Sequence, residues 1–293
     1  MISKQQKGFN ALSRYLQKPM LAHVGNQRLL NRIFGLMAYS MKPLPGTQDN
    51  MTALGGVPTR QMTPPQAAGN TLLYLHGGGF TIGSSFTYRW LAARIADQIG
   101  ATAYLPDYRL GDRHAYPAAP EDCLAAYRVL LQQTDAKRIV IAGDSAGGCL
   151  ALNTLTRAAE QGLPMPAALG LLSPLTDLTG SSASRQAFRD TDMVLPHSWV
   201  TSSTARYLAG HDATDPQASP AFADLSTLPP TLVQIAEGEM FFDEAVALGD
   251  TIPDASVDIW QDVPHGWQLA AGRSPEADEA VTRMAAFLRS HLP

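Results

Sequence analysis

From Leu29 onward apolar residues recur at helical spacing. Leu29, Leu30, Ile33, Phe34, Met37, Ala38 and Met41 make one stripe, and Pro43 and Pro45 stop it. Residues 1–45 are therefore expected to form two helices, with the stripe packed against a core rather than against substrate or a membrane surface. Residues 43–70 are rich in proline and glycine and read as a link. Beyond the link, short apolar runs alternate with helical stretches. The runs at 71–75, 101–105, 138–142, 167–172, 231–236 and 257–260 read as strands, and the alternation predicts a mostly parallel sheet flanked by helices. Residues 181–230 break the rhythm. Phe188, Met193, Leu195, Trp199 and Tyr207 sit there among polar residues, over a stretch much longer than an ordinary strand-to-strand connection. It reads as an insertion over the site, dividing the main unit into 46–180 and 231–293.

Composition narrows the class. At 293 residues, 45% hydrophobic and 16% charged, the chain can bury a large single core. A formal net charge of −4, with no long run of Lys and Arg, gives no electrostatic footprint for nucleic acid. Neutral small-molecule substrates are expected instead. Cys123 and Cys149 belong to no CxxC pair or Cys/His cluster, so they read as buried free thiols rather than as a zinc site or a disulfide. The first residues are charged and lack an apolar signal region, and no apolar run approaches the length of a membrane span. A soluble, cytoplasmic protein without stable membrane insertion is the expectation.

Candidate chemistry begins at Ile139-Val140-Ile141-Ala142-Gly143-Asp144-Ser145-Ala146-Gly147-Gly148, an apolar strand running into G-x-S-x-G and then into a helical stretch. Strand, tight turn and helix is the setting in which this motif exposes a serine nucleophile at the carboxyl end of a sheet, and the glycines permit the strained turn. Ser145 is the candidate nucleophile. His76-Gly77-Gly78-Gly79-Phe80 follows directly on the run at 71–75. Backbone without side chains can turn its N–H groups towards one point, as an oxyanion hole requires, and no G-K-[ST] follows that would mark a phosphate loop. Gly78, Gly79 and Ala146 are the candidate donors.

A serine hydroxyl needs a base, and histidine is suited to that transfer at neutral pH. In the α/β-hydrolase order of Ser, acid, His, only His265 and His291 lie far enough downstream. His265 follows the strand at Trp260, whereas His291 lies in the tail. His76 is expected to orient the oxyanion loop, and His114, His197 and His211 to be loop residues without a catalytic role. The acid should follow the strand at 231–236, where Glu237, Glu239, Asp243 and Glu244 are all candidates; Glu239 is the preferred one, and Asp243 and Glu244 suit a helix start.

These residues resemble the bacterial hormone-sensitive-lipase-like carboxylesterases, whose pattern runs HGGG, GDSAGG, a downstream acid and a histidine in an HG[FW]-type turn. Asp107-Tyr108-Arg109-Leu110, Tyr116-Pro117-Ala118-Ala119-Pro120-Glu121-Asp122-Cys123 and Asp215-Pro216-Gln217-Ala218-Ser219-Pro220 are similar to further family segments, so the resemblance covers most of the chain. It implies the α/β-hydrolase fold, a helical cap built from residues 1–45 and 181–230, and hydrolysis of short-to-medium acyl esters without metal or organic cofactor. Phe80, Trp267 and Asp144 are expected at the substrate. There are two departures: Glu239 stands where Asp is commoner, and Gly111-Asp112-Arg113 replaces Ala-Pro-Glu. The expected partner is a small-molecule ester, with a homodimer allowed. Amide, lactone and N-acetyl hydrolysis use the same triad, a lipase would suit an apolar lid, and a non-catalytic binding protein on this fold would lack the histidine.

Overall fold

The computed structural model describes residues Met1–Pro293 and is built on one eight-stranded sheet with the order β1-β2-β4-β3-β5-β6-β7-β8. The strands are β1 (Gln48–Leu54), β2 (Val57–Thr63), β3 (Asn70–Leu75), β4 (Ala101–Pro106), β5 (Ile139–Asp144), β6 (Ala168–Leu172), β7 (Thr231–Ala236) and β8 (Ala255–Trp260). From β4 to β8 every neighbour is parallel, while β2 runs antiparallel to both β1 and β4. In β3, β5 and β7 every residue is buried, which is why they read as continuous apolar runs. Alternate residues feed opposite cores. Ile141 joins α5 (Ala118–Gln133), α6 (Ala146–Glu160) and α9 (Phe242–Thr251) on one face, and Val140 joins α4 (Ser85–Gln98) and α10 (Pro275–Ser290) on the other.

Three expectations need correction. Residues 43–70 are not merely a link, because β1 and β2 form a hairpin there, with Leu54 opposite Val57 across Gly55 and Gly56. Both glycines have positive φ, 59° and 82°, as a tight two-residue hairpin turn requires. Arg138 belongs to the 3-10 turn Ala136–Arg138 rather than to the strand. His197 is the first residue of a helix, not a loop residue.

The amino-terminal segment holds α1 (Lys4–Leu12), a π turn (Ser13–Gln17) and α2 (Lys18–His23) as one helical run, then α3 (Gln27–Met37). Asn26 caps α3 by accepting from Arg28 and Leu29 N–H, both at 3.1 Å. Leu30 and Ala38 of its stripe are buried, but Leu29 faces solvent. Residues 181–230 carry α7 (Ala183–Ala187) and α8 (His197–Leu208). No helix is long and apolar enough to cross a membrane.

Candidate active site

Ser145 stands between β5 and α6 with φ 52° and ψ −121°, a conformation that a non-glycine residue holds only when its surroundings impose it. Here they do. Its N–H donates to Leu172 O at 2.9 Å, and its carbonyl accepts from Leu175 N–H at 3.1 Å. A Cβ on Gly147 would lie 2.0 Å from Leu75 O, and one on Gly143 would lie 2.3 Å from Gly147 O, so the elbow tolerates glycine alone at both positions. Ala146 opens α6, where the first N–H groups have no intrahelical acceptor.

The loop after β3 is held from below. Asp144 Oδ1 accepts from Gly77 N–H at 2.9 Å and from the Tyr74 hydroxyl at 3.0 Å. The His76 ring lies between Tyr88 and Tyr108, with centroids 5.6 and 4.3 Å away, and its Nδ1 pairs with Gly77 O at 2.8 Å. Burial lowers the His76 pKa, which keeps this bracket neutral. Gly78 has φ 117°, and a Cβ there would sit 2.1 Å from Ile82 O. The N–H groups of Gly78 and Gly79 find no backbone acceptor.

His265 follows β8, and its Nδ1 lies 2.6 Å from Glu239 Oε2. The other oxygen of Glu239 accepts from the Ser173 hydroxyl at 2.6 Å and from Ala236 N–H at 3.0 Å. Of the four acids after β7, only Glu239 meets the histidine. Glu237 is exposed, Asp243 accepts from Ser184 N–H, and Glu244 is buried in an ion pair with Arg185 at 3.0 Å. Burial opposes the charged form of His265, but Glu239 first, then Asp192 and Asp144, outweigh it and raise its pKa. Burial likewise pushes Asp144 up to about 7. Ser145, Gly78, Gly79, Asp144 and His265 line one chamber of about 60 Å³.

A family model described as alpha/beta hydrolase fold matches residues 72–269, a span that includes the elbow, the glycine loop, Glu239 and His265. The chain belongs to the α/β-hydrolase fold family. It is 36% identical to an acetyl-hydrolase of Streptomyces hygroscopicus over 82% of each chain. With an ethyl acetate hydrolase of Pseudomonas putida it shares 31% identity, over 80% of this chain and 79% of that one. An esterase of the bacterial hormone-sensitive lipase family superposes with a TM-score of 0.94, at 34% identity and full coverage of both chains. The chain is thus a carboxylic ester hydrolase of the hormone-sensitive-lipase-like group.

Two residues expected at the substrate lie elsewhere in this hydrolase. Phe80, with φ 62°, turns away from the chamber and stacks on Tyr207 at 3.9 Å, fully buried. Trp267 follows the left-handed Gly266 into a 3-10 turn and packs in the core against Trp260 at 5.6 Å. Their places at the chamber are taken by Trp199 and Leu195 from the insertion and by Phe9, Leu21 and Phe34 from the amino-terminal helices. The stripe on α3 therefore serves the site as well as the core. Ser173 and Asp192 were also missed, since one serine and one aspartate in loops carry no sequence signal of their own. The structure shows Asp192 accepting from Val194 and Leu195 N–H at 2.9 and 2.8 Å and from Met240 N–H at 3.1 Å.

Proposed function

We propose that the hydrolase is a serine carboxylesterase acting on short-to-medium acyl esters through an acyl-enzyme. Ser145 Oγ attacks the ester carbonyl carbon while the distal nitrogen of His265 takes the hydroxyl proton. The negative oxygen of the tetrahedral intermediate accepts hydrogen bonds from Gly78, Gly79 and Ala146 N–H. His265 then returns its proton to the alcohol oxygen as the C–O bond breaks. Water attacks the acyl-enzyme by the same route, releasing the acid and restoring Ser145. Glu239 fixes the tautomer of His265 and stabilises its charged form. No step calls on a metal or organic cofactor.

The observation that carries this reading is the 2.6 Å contact of His265 with Glu239 beside a serine held at φ 52° in the same chamber. The free N–H groups of Gly78 and Gly79 support it. The test is kcat/KM for p-nitrophenyl esters from acetate to palmitate, with wild type beside Ser145→Ala. Fast turnover of the short esters is expected, with a loss in the variant on the order of 10⁶ in kcat. A Ser145→Ala protein that kept most of its turnover would remove the serine from the mechanism.

A further inference from the structure

We infer that the enzyme takes short-acyl esters of bulky, largely apolar alcohols, with the alcohol seated in a second cavity beneath the amino-terminal helices. The inference rests on the triad reading above and adds the direction in which the substrate lies. Beside the catalytic chamber is a cavity of about 350 Å³, and the two share Phe9, Gln17, Phe34 and Leu269 as walls. A ligand pocket commonly measures about 300–1,000 Å³, so the second cavity has the size of one and the chamber of about 60 Å³ does not.

The chemistry decides which half of the ester goes where. His265 must protonate the leaving oxygen, so the alcohol has to lie on the histidine side. The chain beyond His265 passes through the 3-10 turn Trp267–Ala270, and Leu269, Ala270 and Arg273 then form one wall of the larger cavity. Phe34, Met37 and Met41 of the amino-terminal segment line the same cavity. Arg273 is the only charged group in the lining, which suits an apolar occupant. The insertion narrows the chamber. A Cβ on Gly79 would lie 2.8 Å from the Trp199 ring, so the indole rests directly on the oxyanion glycine, and Val194 and Leu195 fill in beside it. An acyl group directed there has little depth available.

The experiment measures kcat/KM by pH-stat for the acetates of ethanol, benzyl alcohol and 2-(1-naphthyl)ethanol, and for ethyl butyrate and ethyl octanoate. We expect at least a tenfold rise from ethyl to naphthylethyl acetate and at least a tenfold fall from ethyl butyrate to ethyl octanoate. Met41→Trp, or Met37→Trp should the first fold poorly, fills the second cavity and should lower the naphthylethyl-to-ethyl acetate ratio about tenfold. Trp199→Ala should raise the octanoate-to-acetate ratio. Ratios cancel any loss of folded protein. Turnover of ethyl acetate with no gain for bulky alcohols, or an unchanged ratio in the cavity-filling variant, would overturn this inference alone. No turnover of any ester would overturn the esterase reading and this inference with it.

Discussion

Glu239 divides its two oxygens between two tasks. One meets His265 Nδ1, and the other is held by the Ser173 hydroxyl and Ala236 N–H, so the longer side chain of a glutamate is anchored where an aspartate would be shorter by one methylene. Ser173 itself sits at φ 47°, fixed there by its N–H donating to Gln234 O at 2.7 Å. The electrostatic consequence can be tested. In the proposed mechanism His265 acts as a base only when neutral, and its pKa is raised above the ordinary 6.5, so kcat/KM should fall as pH drops through a midpoint above that value. In Glu239→Gln the largest raising influence is gone and burial dominates, so the midpoint should move to lower pH while kcat falls roughly 10³–10⁴-fold. A pH–rate profile whose acid limb stays in place would mean that another group sets it.

Between elements, Asp192 connects parts that the chain order keeps apart. Its carboxylate ties the insertion to Met240, next to Glu239, and its carbonyl accepts from Lys18 Nζ on α2 at 2.6 Å. Asp192→Ala would orphan three buried N–H groups at roughly 1–3 kcal/mol each, so a loss of about 3 kcal/mol or more is expected in urea unfolding. An unchanged midpoint would show that those donors find other acceptors. This junction also marks where the sequence stops being readable. The strands β3 and β5 to β7 were legible because burial on both faces makes them mostly apolar, and the elbow was legible because only glycine fits beside it. β1 escaped notice because six of its seven residues are exposed at the sheet edge and carry no apolar alternation, although Gly55-Gly56 was a turn signal. Phe80 and Trp267 were misplaced because spacing along the chain does not reveal which way a left-handed residue sends the next side chain. Glu239 could be preferred by register, but only its contact with His265 separates it from its three neighbours.

The whole molecule is a hydrolase body with two added chain segments, and they differ in what they give the cores: the insertion 181–230 supplies Leu195, Trp199, Tyr207 and Leu225 among others, whereas the amino-terminal segment supplies almost nothing. Of the first 37 residues only Leu21 and Leu30 belong to either buried core. Phe9, Met20, Val24 and Phe34 pack against the cores from outside, and polar contacts add to the hold. Ser3 Oγ donates to Glu276 Oε2 at 2.7 Å, Ser274 Oγ to Gln6 Oε1 at 2.5 Å, and Gly83 N–H to Asn31 Oδ1 at 2.8 Å. The same segment supplies Phe9, Leu21 and Phe34 to the chamber that His265, Gly78 and Gly79 also line. Folding and catalysis should therefore separate on truncation. A chain lacking residues 1–25 is expected to keep cooperative thermal unfolding, because the sheet remains and the buried cores lose only Leu21. It should bind more of a hydrophobic dye, because Phe34, Leu269 and Trp199 lose their cover. Its kcat/KM on short esters should fall at least a hundredfold, with KM rising at least tenfold as the substrate loses one wall. If cooperativity were lost together with activity, the amino-terminal helices would be part of the folding core. If activity survived, the walls they contribute would play no part in binding.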